Sequence, residues 1–200
     1  GTPQLTILMG TTDRTAKYTS GSGGTTLVFQ YTIQAGDTDS DGINIRANVL
    51  ALNSGTISDA SGNNATLAHS SVANNSSFMV DTTAPTVTSF TSTSADRTYG
   101  KPGDTVNITA TTSEGVDSED TITVTLDTGN TVPLTAASNG TTLVGTYTVG
   151  SGDTSCDLTV SSFSIGTVTD SAGNAMTNTT VPATNIDTGS NIVIGSGGGC

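Results

Sequence analysis

The feature that most constrains this 200-residue chain is an internal repeat. Thr-Thr-Leu-Val occurs at residues 25–28 and again at 141–144, and Gly-Asp-Thr occurs at 36–38 and again at 152–154. Both pairs of matches are separated by 116 residues. Ordered matches at a constant spacing are typical of a chain in which one structural unit occurs twice.

Two further matches keep the same order but change the spacing. The turn at residues 58–63 matches residues 169–174, which lie 111 positions later, and Asp81-Thr82 recurs as Asp187-Thr188, 106 positions later. We therefore expect one order of elements in both units, with small differences in loop length. The predicted domains are residues 1–81 and 82–188, followed by a C-terminal tail at 189–200.

Apolar residues that alternate with polar ones predict short β-strands. The clearest period of two is that of Leu27, Phe29, Tyr31 and Ile33. Leu158 and Val160 are out of phase with Phe163, which predicts a β-bulge near Ser161-Ser162. Only 11% of residues are charged and Trp is absent, so long helices are not expected. Seven short strands with turn signals between them, over about a hundred residues, predict an all-β fold of two tandem immunoglobulin-like β-sandwich domains.

The segment between the units, Asp81-Thr82-Thr83-Ala84-Pro85-Thr86-Val87, reads as a stiff extended connector because Pro85 restricts its own backbone and that of Ala84. With Gln34-Ala35-Gly36-Asp37-Thr38 and the Asp-x-x-Gly-Asn turns at Asp59 and Asp170, it resembles the tandem bacterial immunoglobulin-like repeats of large surface adhesins and other extracellular proteins. The resemblance covers nearly all of residues 3–188. It implies a cell-surface or extracellular stalk or fibre, often stiffened by calcium, and it does not imply catalysis.

The first unit departs from this pattern at its beginning. The first two strands of the second unit are predicted within residues 86–112, and the repeat spacing leaves them no counterpart in the first unit. The first domain is therefore predicted to lack its two N-terminal strands. A sandwich without them leaves sheet edges unpaired and part of its core open.

The charge of the chain limits its partners. The net charge is −12 and only five residues are Lys or Arg, which argues against binding nucleic acid. No apolar stretch is long enough to predict a membrane span. Acidic residues beside Gly and Asn favour a hard cation such as Ca²⁺ as a partner, and the alternative is an acidic surface that maintains solubility.

One acidic loop has the spacing of a calcium ligand set. Asp37, Asp39 and Asp41 precede Gly42 in the Asp-x-Asp-x-Asp-Gly pattern that opens an EF-hand loop. The loop is not an EF-hand, because Asn48 stands where that motif has Glu and no helices are predicted around it. The alternative is a polar turn between two strands.

A second group of candidate ligands is predicted near the joint between the units. If strands alternate in direction, Asp170 and Asn174 lie at the end of the second unit that faces the loop at 37–42, with Asp81 between them. Carboxylates gathered there would repel one another, and Ca²⁺ would bridge them and stiffen the joint.

We predict no enzymatic activity. His69 is the only histidine and lies in a polar context, which favours an exposed loop residue over a catalytic base. The acid pair Glu119 and Asp120 is compatible with glycoside hydrolysis, but no aromatic platform for a sugar is apparent.

The two cysteines, Cys156 and Cys200, are predicted to form a disulfide within or between chains because extracellular thiols tend to oxidise. The alternatives are a buried thiol at Cys156 and an attachment handle at Cys200. Sequence alone does not fix the connectivity.

The tail contains a short apolar run of Ile192, Val193 and Ile194. Since it follows a second copy of the connector motif, it reads as the start of a further strand. Inserting it into the incomplete first unit of another copy would build a head-to-tail filament. A fragment cut from a longer repeat protein explains the same pattern.

Three hypotheses of function follow. The first is a structural subunit or stalk segment of an extracellular bacterial fibre or adhesin, with its own copies or neighbouring repeats as partners. The second is an adhesion module whose loops bind a glycan or a protein. The third is a non-catalytic accessory region of a secreted enzyme.

Overall fold

The computed structural model describes residues 1–195, and they form two compact units. The first unit spans Gly1–Thr83 and the second begins at Ala84, so the division falls two residues after the predicted boundary. Residues 196–200 are outside the described part of the chain. The fold is all-β apart from one helical turn, as the composition and the alternation predict.

The first unit contains one antiparallel sheet of four strands with the order β3-β2-β1-β4. Its strands are β1 (Gln4–Met9), β2 (Thr12–Ser20), β3 (Val28–Gln30) and β4 (Leu50–Ala51). Of the predicted alternating run from Leu27 to Ile33, only Val28–Gln30 forms a strand, which is β3. Residues 43–49, which also alternate, make isolated bridges at Asn44 and Ile45.

The second unit contains a six-stranded sheet and a separate pair of strands. Its elements are β5 (Val87–Thr91), β6 (Thr98–Tyr99), β7 (Thr105–Val116), β8 (Thr121–Leu126), β9 (Thr131–Thr135), β10 (Gly140–Thr148), β11 (Val160–Ile165), α1 (Ile186–Gly189) and β12 (Val193–Ile194). The large sheet has the order β11-β8-β9-β10-β7-β5, and β12 pairs in parallel with β6. The register between β11 and β8 shifts between Val160 and Ser162, which confirms the predicted bulge.

Four strands have the same order in both units. The order β4-β1-β2-β3 of the first unit corresponds to β11-β8-β9-β10 of the second. The second unit adds β7 and β5 beyond β10, whereas β3 is the last strand of the sheet in the first unit. These two additional strands of the large sheet both come from residues 86–116.

The two units differ in how much of their apolar surface is buried. The second unit encloses one core, to which every strand from β5 to β12 contributes. In the first unit, Met9 and Ala16 are the described apolar residues that are fully buried. The exposed large apolar side chains also lie mainly in the first unit: Val28, Ile33, Val72, Phe78 and Met79, with Val144 in the second.

The apolar run of the tail lies within the second unit. Ile192 and Ile194 are buried in the core of the second unit, and β12 pairs with β6 of that same unit. The apolar run is therefore the final strand of its own unit, which continues past residue 188, and its insertion into another copy stays a prediction.

The match between Asp81-Thr82 and Asp187-Thr188 is also not structural. Asp187 and Thr188 belong to α1, which begins after Asn185 in a capping box: the Asn185 side chain accepts from the N–H of Ile186, and the Asn185 N–H donates to Thr188 Oγ1. The counterpart of Val80 is instead Ile194. Val80 forms a bridge with Asp39, and Ile194 forms the same kind of bridge with Ser155, which lies 116 residues after Asp39.

Candidate functional site

A tyrosine and an aspartate form the same hydrogen bonds in both units. Tyr31 Oη donates to Asp37 Oδ2 over 2.7 Å, and the N–H of Gln34 donates to the same oxygen over 2.7 Å. In the second unit, Tyr147 Oη donates to Asp153 Oδ2 over 2.7 Å, and the N–H of Gly150 donates to that oxygen over 2.6 Å. The residues of each pair are separated by 116 positions, so the sequence repeat is also a repeat of side-chain contacts.

Each of these aspartates organises the loop that follows a strand. The loop turns at Gly36 and Gly152, whose φ angles are both +89°, a conformation that glycine adopts without steric cost. The carboxylate accepts an N–H from the start of the loop and the hydroxyl of a tyrosine, which is Tyr147 within β10 or Tyr31 directly after β3, and this fixes the loop against the sheet. We refer to these two arrangements as the tyrosine–aspartate anchors.

The surroundings of the anchors shift the pKa of both partners. The N–H of Gln34, and then the Tyr31 hydroxyl and the Arg14 guanidinium, hold the pKa of Asp37 below its ordinary value against the opposing effect of burial. In the same way, the hydroxyl of Tyr147 holds the pKa of Asp153 below its ordinary value. Burial, followed by the contact with Asp153, raises the pKa of Tyr147 to about 12.

The first anchor also contains an ion pair. Arg14 Nε lies 2.7 Å from Asp37 Oδ1, and the Asp37 side chain is fully buried. The position 116 residues after Arg14 is Asn130, whose side chain contributes to lowering the pKa of Asp153. A buried carboxylate is stable only with such partners, because an unpaired charge in the interior is costly.

The three acidic residues of the loop at 37–42 point to separate partners. Asp37 binds Arg14 and Tyr31, whereas Asp39 accepts the N–H groups of Gly10 and Gly42 over 2.8 and 2.7 Å. Asp41 accepts from the side-chain amide of Asn74. Among the described residues, these three carboxylates are not gathered around one point. In this structure the three carboxylates act as hydrogen-bond acceptors for separate donors, and calcium binding by this loop stays a prediction.

Burial raises the pKa of Asp39, but the N–H groups of Gly10, Gly42 and Asp41 hold it below its ordinary value. These donors come from the turn between β1 and β2 and from the loop itself. Asp39 thus ties two loops of the first unit together.

The predicted ligands Asp170 and Asn174 contact each other directly. Asp170 Oδ1 accepts the N–H groups of Ala172 and Asn174 over 2.9 and 2.8 Å, and Asp170 Oδ2 accepts the Asn174 amide over 2.8 Å. Burial raises the pKa of Asp170, but these hydrogen bonds together lower it. Asp59 and Asn63 make the same three kinds of contact in the first unit. These turns are therefore a second repeated anchor.

Asp81 belongs to the first unit, where it accepts the N–H of Thr83 over 2.9 Å. Asp170 and Asn174 belong to the second unit. Calcium binding by these residues stays a prediction.

His69 and the acid pair have structural contacts. His69 Nε2 accepts the N–H of Val49 over 3.0 Å, and its Nδ1 lies 2.9 Å from the carbonyl oxygen of Ser70. Asp120 Oδ2 accepts the N–H of Thr169 over 2.8 Å, and Glu119 is in the left-handed region with a φ of 71°. Both sets of contacts fix loops.

Cys156 lies exposed in the loop before β11. Its predicted partner, Cys200, is outside the described residues, so the disulfide stays a prediction. The neighbouring Ser155 donates its hydroxyl to Asp127 over 2.5 Å.

The first unit contains a groove of about 640 Å³ that is lined by both polar and apolar residues. Its lining includes Tyr18, the loop at residues 22–25, the loop at 56–59, and residues 63–65, together with Pro3 and Leu27. Tyr18 packs edge-on against Phe29 at a centroid distance of 6.1 Å, and its hydroxyl lies 2.7 Å from Ser22 Oγ. The groove therefore combines one aromatic ring with amide, hydroxyl and carboxylate groups. The groove could not be predicted from the sequence, because its lining residues come from loops far apart in the chain.

The sequence patterns also did not predict a common role for the anchor residues Arg14, Tyr31, Tyr147 and Asp153. The signal was present in the sequence: a tyrosine six residues before an aspartate occurs in both units at the repeat spacing.

Comparison of the chain with protein-family models found no match, and neither the curated proteins nor the solved structures gave one. Within residues 1–195, no helix is both long and apolar enough to cross a membrane.

Proposed function

We propose that this chain is a structural segment of an extracellular bacterial fibre or adhesin stalk, and that its two units are immunoglobulin-like. The observation that carries the proposal is the repeated frame: four strands in one order, fixed by the same tyrosine–aspartate and aspartate–asparagine anchors. Repeated units fixed by their own internal contacts are suited to a load-bearing spacer. The proposed role is non-enzymatic, and its partners are copies of the chain or neighbouring repeats.

The second unit has the features expected of a load-bearing domain. β7 and β10 pair along Thr105–Val116 and Gly140–Thr148, and this long antiparallel ladder covers a closed core. Many backbone hydrogen bonds must then break together before the core opens. The loops are tied to the sheet by buried aspartates, which limits local opening.

Single-molecule stretching of the intact chain tests the structural role. We expect one cooperative unfolding event for the second unit, at a force that falls in the Tyr147→Phe variant because the anchor to Asp153 is lost. Lys101→Ala, an exposed loop substitution, is the control and leaves the force unchanged. Gradual extension at low force without a distinct event would contradict a load-bearing role.

The groove of the first unit favours adhesion to a glycan as a second candidate function. Tyr18 offers a ring face or edge, and Asp59 with Asn63 offers hydrogen-bonding groups of the kind that bind sugar hydroxyls. A glycan array with the intact chain tests this function. A saturable hit that is lost in Tyr18→Ala and kept in Lys101→Ala supports it, and an array without hits rejects it.

A further inference from the structure

The connection between β9 and β10 contains the only Asn-Gly pair of the sequence. Asn139 is exposed, and Gly140 is the first residue of β10. In such a pair the glycine nitrogen can attack the side-chain amide carbon of the asparagine, because glycine has no Cβ to hinder the approach and its backbone is conformationally free. Asn139 is therefore the asparagine of this chain that is most open to a reaction with its own backbone.

The fold holds the amide of Asn139 against the loop between β7 and β8. The N–H of Ser118 donates to Asn139 Oδ1 over 2.9 Å, and Asn139 Nδ2 lies 3.5 Å from Asp117 Oδ1. The Ser118 N–H thus contacts the oxygen on which negative charge develops when the amide carbon is attacked. A donor aimed at such an oxygen stabilises the transition state.

A related pair in the first unit is held differently. Asp41-Gly42 would form the same kind of ring with loss of water. Gly42 is buried, however, and its N–H donates to Asp39 Oδ1 over 2.7 Å, so the attacking nitrogen is already engaged. The structure therefore favours Asn139-Gly140 over Asp41-Gly42 as the place of reaction.

We propose that Asn139 is a site of spontaneous covalent modification, at which the native chain converts a side-chain amide to a carboxylate with water as the only co-reactant. The Gly140 nitrogen bonds to Asn139 Cγ, the bond from Cγ to Nδ2 breaks, and Nδ2 leaves as ammonia with the proton that the Gly140 nitrogen loses. Water then opens the resulting succinimide at either carbonyl, which gives aspartate or isoaspartate at position 139. This inference goes beyond the stalk function and does not depend on it.

Either product changes the contact with the loop between β7 and β8. A carboxylate at position 139 faces Asp117 Oδ1 where an amide donor was, so an attractive contact becomes a repulsion between like charges. Isoaspartate also adds one atom to the main chain directly before β10, whose pairing with β7 includes Gly140 and Val116. The modified chain should therefore be less stable in its second unit.

Peptide mapping by mass spectrometry, after incubation of the folded intact chain in H₂¹⁸O at mildly alkaline pH, tests the proposal. We expect Asn139 to lose its amide faster than every other asparagine, and the product to contain one ¹⁸O atom as a mixture of aspartate and isoaspartate. Alkaline conditions should speed the reaction, because the attacking nitrogen must lose its proton.

Gly140→Ala is the variant that blocks the attack. A Cβ at position 140 comes no nearer than 4.0 Å to any atom outside its chain neighbours, and the φ of Gly140 is not positive, so the fold accommodates the methyl group. The methyl group hinders the nitrogen, and we expect the rate to fall by roughly tenfold or more. Gly115→Ala, on the neighbouring strand β7, is the matched control and leaves the rate unchanged.

Calorimetry of designed variants measures the consequence. Asn139→Asp, which has the side chain of one product, should lower the melting transition of the second unit. Adding Asp117→Asn to this variant should restore much of the loss, because it removes the facing charge.

Two results would overturn the proposal. One is an intact Asn139 in the folded chain under conditions in which the urea-denatured chain converts it, since the fold would then protect the amide. The other is an equal rate in Gly140→Ala, which would exclude attack by the Gly140 nitrogen. Neither result bears on the stalk function, which the stretching experiment tests separately.

Discussion

Tyr147 and Asp153 show how a single hydrogen bond fixes a loop of the second unit. The hydroxyl is 2.7 Å from the carboxylate, and Tyr147 is buried in the core. Tyr147→Phe should reduce the free energy of unfolding by about 1–2 kcal/mol, because the substitution removes a hydrogen bond to a charged group and leaves its carboxylate with one donor fewer. Chemical denaturation of the intact chain measures this loss, and a wild-type midpoint in the variant would contradict it.

The same tyrosine predicts how stability changes at alkaline pH. Its pKa is raised from 10.0 to about 12 in the folded state, so folding favours the protonated form. The contribution is fully present below pH 10 and is lost as the pH rises through about 12. Between these values the unfolding midpoint should decline less steeply in Tyr147→Phe than in the wild type. If the unfolding midpoint falls equally steeply with pH in both proteins, the titration of Tyr147 is not the cause of the loss of stability.

At the acidic end, the hydrogen-bonded aspartates determine how stability changes with pH. The pKa values of Asp37, Asp39, Asp153 and Asp170 all lie below the ordinary value of 3.8 in the folded state. Their contribution is present above this value and is lost as the pH falls through the lower, folded values. We expect a flat melting temperature from pH 7 to about pH 5 and a steep fall below about pH 4. In the Asp170→Asn variant, the melting temperature should fall less steeply below about pH 4. An unchanged fall would show that Asp170 does not contribute to it.

At the scale of elements, β9 and β10 are packed too closely for a side chain at one position. A Cβ on Gly145 would lie 2.3 Å from the carbonyl oxygen of Pro133 and 2.6 Å from Leu134 Cδ2. Gly145→Ala should therefore destabilise the second unit by about 1–3 kcal/mol, through displacement of β9. Differential scanning calorimetry measures the shift.

Gly115 on β7 is the matched control for this prediction. A Cβ there would meet no atom within 4 Å and its φ is not positive, so Gly115→Ala should be neutral or slightly stabilising. Equal effects of the two substitutions would show that backbone entropy, and not the close approach of β9, determines the cost.

At the scale of the whole molecule, the net charge of −12 underlies the prediction that Ca²⁺ stabilises the chain. A ligand that binds only the folded state stabilises it by roughly 2.7 kcal/mol at a hundredfold excess over its dissociation constant. The melting temperature should be higher in millimolar Ca²⁺ than in a chelator. Magnesium at the same ionic strength is the control for general screening of charge, and equal melting temperatures in calcium and chelator would reject the prediction.

Much of the fold was predictable from local patterns. The strands at Leu5–Met9, Val106–Ala110 and Ile122–Leu126 follow from alternation, because side chains on a strand point to opposite faces. The bulge near Ser161 follows from a break in that alternation. The turns at Asp59 and Asp170 follow from residues that bond their own backbone.

Other features required the tertiary structure, because they depend on partners far away in the chain. The sequence marks Ile192–Ile194 as a strand, but only the fold shows that it pairs with Thr98–Tyr99, more than ninety residues earlier. The spacing of Asp37, Asp39 and Asp41 indicates a common ligand set, yet donors on Arg14 and Gly10 draw two of these side chains apart. The sequence by itself therefore determined the all-β class, the repeat and its turns, which are local. The partners of strand edges and carboxylates were decided by long-range packing, because these groups bind whichever donor the fold brings near.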